Sequence, residues 1–181
     1  MMKICISGMT ASGKTTLGGL IARELNVEHI TKEKTKEYAK LMNDLAQKKD
    51  AKLALAQTAD SRYAKNFDAE IIRAAKGKNC VVSTWLAPWL MKDATLRVWL
   101  NASPAERYRR KANYLGVSMR KAEKLVKEKD SLAKKGFEKV YGIDINDHSI
   151  FDIEINTEKL DHKKVVAVVS MLAMLKEGKI R

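Results

Sequence analysis

A glycine- and lysine-containing turn near the N-terminus constrains the fold of this chain more than any other feature. The segment Gly8 to Thr15 reads GMTASGKT and fits the pattern G-x-x-x-x-G-K-[ST]. It directly follows an apolar, β-branched run, KICIS (3–7), and directly precedes a segment with helical periodicity. A strand, a glycine-rich turn and a helix in this order predict a loop whose backbone encloses phosphate groups.

The positions within this turn have distinct expected roles. Gly8 and Gly13 let the backbone curl so that successive N–H groups face phosphate oxygens. Lys14 is expected to reach the β- and γ-phosphates, while the Thr15 hydroxyl ligates Mg²⁺ and Thr16 supports the α-phosphate. The pattern therefore predicts binding of ATP with Mg²⁺ by a continuous set of residues: Gly8, Met9, Thr10, Ala11, Ser12, Gly13, Lys14, Thr15 and Thr16.

Strand-like segments alternate with helical patterns along the whole chain. After KICIS, the apolar β-branched segments span residues 27–30, 79–84, 96–101 and 152–156. This alternation predicts an α/β fold in which a five-stranded parallel sheet is covered by helices to give three layers. The length of 181 residues suits a single domain, and both cysteines lie inside strand segments, so we expect neither a disulfide nor a cysteine metal site.

Two long helical blocks interrupt the alternation. The first, about residues 31–78, contains no proline, follows the second strand and could cover an acceptor site. The second, about residues 103–139, is broken by Gly116, with Ser118 as the predicted N-cap of its next helix, and resembles a lid. The remainder, about 1–30, 79–102 and 140–181, is the predicted core of the domain.

The formal charge of +13 indicates an anionic partner without identifying it. Nucleic acid, an anionic membrane and multiply phosphorylated small substrates all remain compatible with it. No apolar run approaches the roughly 18 residues needed to span a bilayer, and the N-terminus does not resemble a signal peptide. We therefore expect a cytoplasmic, monomeric protein without a membrane partner.

Basic residues are concentrated in the second helical block. Arg107 and Arg110 are one helical turn apart, so both could point at a transferring phosphoryl group and stabilise its charge. Lys127 could approach from the opposite helix, and these three residues together with Lys14 form the predicted catalytic set. Most of the surrounding lysines alternate with glutamates and are expected to form a solvated helix face.

Aromatic and histidine residues suggest fewer functions. Trp85 and Trp89 are four residues apart and could stack on a base at the end of the third strand, with packing in the core as the alternative. The three histidines show no spacing typical of a metal site, so no bound metal other than Mg²⁺ is expected.

Three segments resemble the archaeal-type cytidylate kinases, which belong to the nucleoside monophosphate kinases. They are the opening MKICISG with its loop, YGIDIND (141–147) and SIFDIEINTE (149–158), and the resemblance covers nearly the whole chain. It implies a P-loop kinase fold and transfer of a phosphoryl group from ATP to a nucleoside monophosphate, with CMP or dCMP as acceptor. In this resemblance Arg107 and Arg110 match arginines of the family's lid.

The acceptor side departs from the family's pattern. Where the family has an acidic residue, glycine and arginine after the third strand, this chain has Ser83-Thr84-Trp85. Lys36 corresponds to an arginine that grips the acceptor phosphate, and further lid arginines correspond to Lys127, Lys129 and Gly136. Because lysine lacks the bidentate fork of arginine, we expect weaker acceptor binding or a changed acceptor. The candidate acceptor-binding residues are Thr31, Lys36, Thr84 and Trp85.

Two other functions stay open at the level of the sequence. The first is an ATP-binding protein that acts on RNA or in its assembly, which is consistent with the charge of +13. It predicts RNA binding that weakens steeply as salt concentration rises. The second is a kinase whose acceptor is the end of a nucleic acid.

Overall fold

A computed structural model describes residues 1–36, 38–39 and 61–179. Within them the strands are β1 (Lys3–Gly8), β2 (Glu28–Ile30), β3 (Cys80–Ser83), β4 (Leu96–Asn101) and β5 (Ile153–Asn156). The five strands form one sheet in the order β2-β3-β1-β4-β5, and every pairing is parallel. All five carboxyl ends therefore meet at one edge of the sheet, where open α/β folds bind ligands.

The helices of the described residues are α1 (Lys14–Glu24), α2 (Ser61–Ala75), α3 (Ala87–Leu90), α4 (Pro104–Leu115), α5 (Met119–Tyr141) and α6 (His162–Lys176). A 3₁₀ turn, Lys32–Lys34, follows β2. Gly116 ends α4 with a φ of 63°, and the Ser118 hydroxyl then accepts a hydrogen bond from the Lys121 amide at 3.4 Å to begin α5. Both helix signals predicted from the sequence are confirmed.

Both faces of the sheet are buried under helices, and side chains along β1 alternate between the two faces. Ile4 and Ile6 pack in a cluster with α1 and α6, whereas Cys5 packs on the opposite face with α2 and α3. This arrangement confirms the predicted three-layer α/β fold. Cys5 and Cys80 are buried free thiols, as expected from their strand positions.

Each predicted strand is found within two residues of its expected bounds. Residues 40–60 of the predicted acceptor-binding block lie outside the described residues, so the division into core, insertion and lid stays a prediction.

Trp89 contacts Trp99 and Phe151, with ring centroids 6.4 and 5.1 Å away, so Trp89 packs within an aromatic cluster. In the part of the chain that the structure describes, no helix is both long and apolar enough to cross a membrane.

Candidate functional site

The glycine-rich turn, residues 8–15, forms a tight loop between β1 and α1, called here the phosphate loop. Gly8 has a φ of 149°, and a Cβ atom at this position would lie 2.3 Å from the carbonyl oxygen of Leu100 in β4. Gly13 has a φ of 102° and directly precedes α1. Glycine at these positions therefore lets the loop curl around the N-terminus of α1, where the first amides lack partners within the helix.

Two hydroxyl groups inside the phosphate loop have no hydrogen-bond partner. Among the described residues, the buried side-chain polar atoms without a partner are Thr10 Oγ1, Ser12 Oγ and Ser170 Oγ. Such groups cost free energy when they are left unpaired, and they are rare outside functional sites. Their concentration at Thr10 and Ser12 fits a loop that is completed by an oxygen-rich anionic ligand.

The Lys14 ammonium lies inside the loop and contacts its backbone. Its Nζ donates to the carbonyl oxygens of Gly8 and Met9 at 2.6 and 2.8 Å, and it lies 4.9 Å from the ring centroid of Trp85. The side chain as a whole is only partly buried, but the ammonium itself is enclosed. Burial, followed by repulsion from Lys129, lowers the pKa of Lys14 to about 7. Thr15 and Thr16 are exposed at the start of α1.

A buried ion pair connects the phosphate loop to α4 and α5. Arg107 of α4 donates from Nη1 to Oδ2 of Asp130 in α5 at 2.6 Å and to the Thr10 carbonyl at 3.2 Å. Oδ1 of Asp130 accepts from the Thr10 amide at 3.1 Å. Arg107 and Asp130 are only 8% and 7% exposed. We call this set of Thr10, Arg107 and Asp130 the loop clasp; it directs Arg107 toward the loop backbone.

Asp130 was not identified as a site residue from the sequence, although a signal for it exists. Among the many charges of α5 it resembles another surface residue. Ala122 and Val126, however, are fully buried, and Asp130 follows them at the same four-residue spacing. Residues four apart share one helix face, so this spacing places Asp130 on the buried side.

Arg110 contacts the opposite side of the phosphate loop. Its guanidinium donates to the hydroxyl and carbonyl oxygens of Thr157 at 2.9 and 2.8 Å and lies 3.4 Å from the Ser12 carbonyl oxygen. Thr157 directly follows β5. Arg107 and Arg110 are therefore both brought to the loop, as the sequence indicated, and each has a separate set of contacts there.

Lys127 is not brought to the loop. Its ammonium lies 2.7 Å from Glu123 on the same helix, and its side chain is 65% exposed. Lys129, two positions later, is on the opposite side of α5, and burial, with repulsion from Lys32 and Lys111, lowers its pKa to about 8. Lys32 also lowers the pKa of Lys14. The group called here the cationic cluster therefore consists of Lys14, Lys32, Lys111 and Lys129.

The four candidate acceptor-binding residues separate into different environments. The Thr84 hydroxyl accepts from the amide of Ala87, the first residue of α3, at 3.2 Å, and Thr31 is buried just before the 3₁₀ turn. Lys36 is exposed. Trp85 is the candidate that lies beside Lys14, and its ring centroid is 5.7 Å from that of Phe137 in α5.

A buried carboxyl group joins α2 to the end of α5. The Tyr141 hydroxyl donates to Oδ2 of Asp68 at 2.6 Å, and Asp68 is only 9% exposed. Burial raises the pKa of Asp68 to about 6, although the hydrogen bond from Tyr141 acts in the opposite direction. This pair could not be predicted from local sequence patterns, because its members are 73 residues apart.

The raised pKa of Asp68 predicts a pH-dependent contribution to stability. The folded protein holds this proton more tightly than the unfolded chain, so the contribution is fully present below the unfolded pKa of 3.8 and is lost as pH rises through about 6. Relative to Asp68→Asn, wild-type stability should fall by about 2 kcal/mol between pH 4 and pH 7.5. Urea unfolding of both proteins at both pH values measures this difference. A difference that stays constant would contradict the prediction.

Comparison with known proteins places these features in a family. A family model described as the cytidylate kinase-like family matches residues 3–159. The chain is 36% identical to a cytidylate kinase of Pyrococcus horikoshii, over 92% of this chain and 85% of the relative. It is 30% identical to a cytidylate kinase of Archaeoglobus fulgidus, over 99% of this chain and 98% of the relative. The names of these relatives give no support to the RNA-binding alternative.

A solved structure supports the fold independently. Shikimate kinase from Bacteroides thetaiotaomicron is similar with a TM-score of 0.58 and 19% identity, over 94% of this chain and 97% of that chain. At this level of identity the likeness concerns the fold alone.

Proposed function

The chain belongs to the cytidylate kinase-like family, and from this premise we propose that it is a nucleoside monophosphate kinase. It transfers the terminal phosphoryl group of ATP to a nucleoside monophosphate, with CMP and dCMP as acceptors, and gives ADP and a nucleoside diphosphate. The observation that carries the proposal is the phosphate loop, with the enclosed Lys14 ammonium and the unpaired hydroxyls of Thr10 and Ser12. We expect the enzyme to act in the cytoplasm as a monomer.

The donor nucleotide would be held by residues 8–16. Amides at the start of α1 would face its phosphates, and the exposed Thr15 hydroxyl would ligate Mg²⁺. When bound, Mg²⁺ neutralises charge on the β- and γ-phosphates. Arg110, fixed by Thr157, would orient the donor side of the loop.

The positive side chains around the loop would stabilise the transferring phosphoryl group. Lys14 can exchange its carbonyl contacts with Gly8 and Met9 for phosphate oxygens, since both kinds of group accept hydrogen bonds. Arg107 acts through the loop clasp, where it fixes the Thr10 backbone and keeps Asp130 neutralised. The cationic cluster supplies further positive charge where negative charge develops. We further propose that the domain divides into a core, an acceptor-binding insertion and a lid, as the sequence predicts.

The activity is tested directly with the purified protein. It is incubated with Mg-ATP and, separately, with CMP, dCMP, UMP, AMP or GMP, and the nucleotides are separated by ion-exchange chromatography. Formation of CDP and dCDP is the expected result. If ATP is turned over with a different acceptor but no CDP forms, the proposed acceptor is wrong; if no monophosphate is phosphorylated, the proposed activity is wrong.

A pair of substitutions on α5 tests which lysine acts at the loop. Lys129→Ala should lower kcat/KM for ATP about 10-fold, because it removes a buried charge of the cationic cluster. Lys127→Ala is the matched control and should change kcat/KM less than about 2-fold, since its ammonium is exposed and screened by solvent. Steady-state kinetics at saturating CMP measure both variants. An equal or larger loss in Lys127→Ala would contradict this assignment.

A further inference from the structure

One face of α5 extends from the phosphate loop to α2. Asp130, Phe137 and Tyr141 are separated by seven and four residues, spacings that keep side chains on the same side of a helix. With a rise of 1.5 Å per residue, Phe137 lies about 10 Å and Tyr141 about 16 Å beyond Asp130 along the axis. These three side chains therefore mark successive distances from the loop.

Each of the three meets a different chemical partner. Asp130 accepts from the Thr10 amide of the loop at 3.1 Å. Phe137 packs against Trp85, whose ring also lies 4.9 Å from the Lys14 ammonium. Tyr141 donates to Asp68 at 2.6 Å. Along this face the order is thus a contact with the phosphate loop, then aromatic rings, then a buried carboxyl group.

An acceptor monophosphate whose phosphate faces the donor's terminal phosphate at the loop would extend in the same direction, from its phosphate through its sugar to its base. We propose that Asp68, held by Tyr141, is a specificity-determining residue whose carboxylate accepts a hydrogen bond from the amino group of the acceptor's cytosine. Trp85 and Phe137 form the wall against which the base ring packs. This inference rests on the proposed function and deepens it.

The chemistry of the two pyrimidines explains why a carboxylate would select between them. Cytosine presents an amino donor at N4, whereas uracil presents a carbonyl acceptor at O4. An ionised carboxylate only accepts hydrogen bonds, so it pairs with the first and repels the second. With a pKa of about 6, Asp68 is ionised at pH 7.5. Its contact with Tyr141 fixes the orientation of the carboxylate, which a selective site requires.

The experiment compares wild type with Asp68→Asn, Tyr141→Phe and Glu138→Gln. Glu138 is an exposed residue of α5, so Glu138→Gln removes one carboxylate from the same helix and serves as the control. For each protein, kcat/KM is measured at pH 7.5 for CMP, dCMP and UMP at saturating Mg-ATP, and thermal unfolding checks the fold. Tyr141→Phe keeps the Asp68 carboxylate, so it tests the site even if Asp68→Asn folds poorly.

The expected result is a change in preference and not only a loss of rate. Asp68→Asn should lower kcat/KM for CMP and dCMP at least about 10-fold, mainly through KM, and leave UMP unchanged or improved. Tyr141→Phe should reduce the CMP to UMP preference about 3-fold by loosening the carboxylate. Glu138→Gln should retain the wild-type preference.

Other outcomes overturn the inference in distinguishable ways. Equal losses with CMP and UMP would mean that Asp68 is only structural. A loss with CMP but not with dCMP would mean that Asp68 reads the ribose hydroxyl instead of the base. If wild type phosphorylates CMP and the preference is unchanged in both Asp68→Asn and Tyr141→Phe, only this inference fails. If wild type phosphorylates no monophosphate, the proposed function fails and the inference fails with it.

Discussion

Replacing Lys14 by methionine is expected to lower kcat at least about 1,000-fold. Methionine keeps an unbranched apolar stem but removes the ammonium, which the loop carbonyls of Gly8 and Met9 hold at 2.6 and 2.8 Å. The Lys14 ammonium interacts with negative charge that develops on the transferring phosphoryl group. Its removal should therefore change kcat more than the KM for the acceptor. Steady-state kinetics with CMP and Mg-ATP measure it.

The fold should persist in Lys14→Met. Burial lowers the pKa of Lys14 although the ammonium donates to two carbonyl oxygens, so its charged form is disfavoured in the folded protein. We therefore expect the midpoint of thermal unfolding to be unchanged or slightly raised. A wild-type kcat in Lys14→Met would refute the role of the phosphate loop in phosphoryl transfer. Loss of the fold would refute the claim that the Lys14 ammonium does not stabilise the folded protein.

Removing one partner of the loop clasp should destabilise the protein strongly. Asp130→Ala leaves the Thr10 amide without its acceptor and the buried guanidinium of Arg107 without its charged partner. Breaking such a pair costs about 3–5 kcal/mol, because an uncompensated charge remains buried. Urea unfolding in the absence of nucleotide measures the change in the free energy of unfolding.

A double-mutant cycle separates this effect from simple loss of contacts. Arg107→Ala, Asp130→Ala and the double variant are compared, and the double variant should cost clearly less than the sum of the two single changes. The exposed pair of Glu123 and Lys127 on α5 is the matched control. Its disruption should cost less than about 1 kcal/mol. Additive costs for Arg107 and Asp130 would show that the two charges do not act as a pair.

The fold and the phosphate loop could be predicted from the sequence because both depend on local patterns. Alternating strand and helix segments specify the layers, and the spacing of Gly8, Gly13 and Lys14 specifies a loop that is continuous in the chain. Helix phase was harder to predict. Lys127 and Lys129 differ by two positions, which places them on opposite sides of α5, and only burial of the neighbouring face decides which of them meets the loop.

The acceptor side depends on contacts between distant parts of the chain. Asp68 and Tyr141 meet only after α2 and α5 have packed, and neither residue lies in a recognisable local motif. A hydroxyl at the end of β3 is compatible with more than one role, and here the Thr84 hydroxyl accepts from the amide of Ala87 at the start of α3. Trp85 directly follows β3 at the carboxyl edge and lies beside Lys14, and its role in acceptor binding stays a prediction.

The enclosed ammonium of Lys14 also affects the exchange of protons with solvent. Because burial lowers its pKa to about 7, a substantial fraction of molecules carries a neutral amine at this position at neutral pH. A polyphosphate in the loop favours the ammonium form. We therefore expect donor binding to be accompanied by proton uptake, and the affinity for the donor to decrease as pH rises above 7.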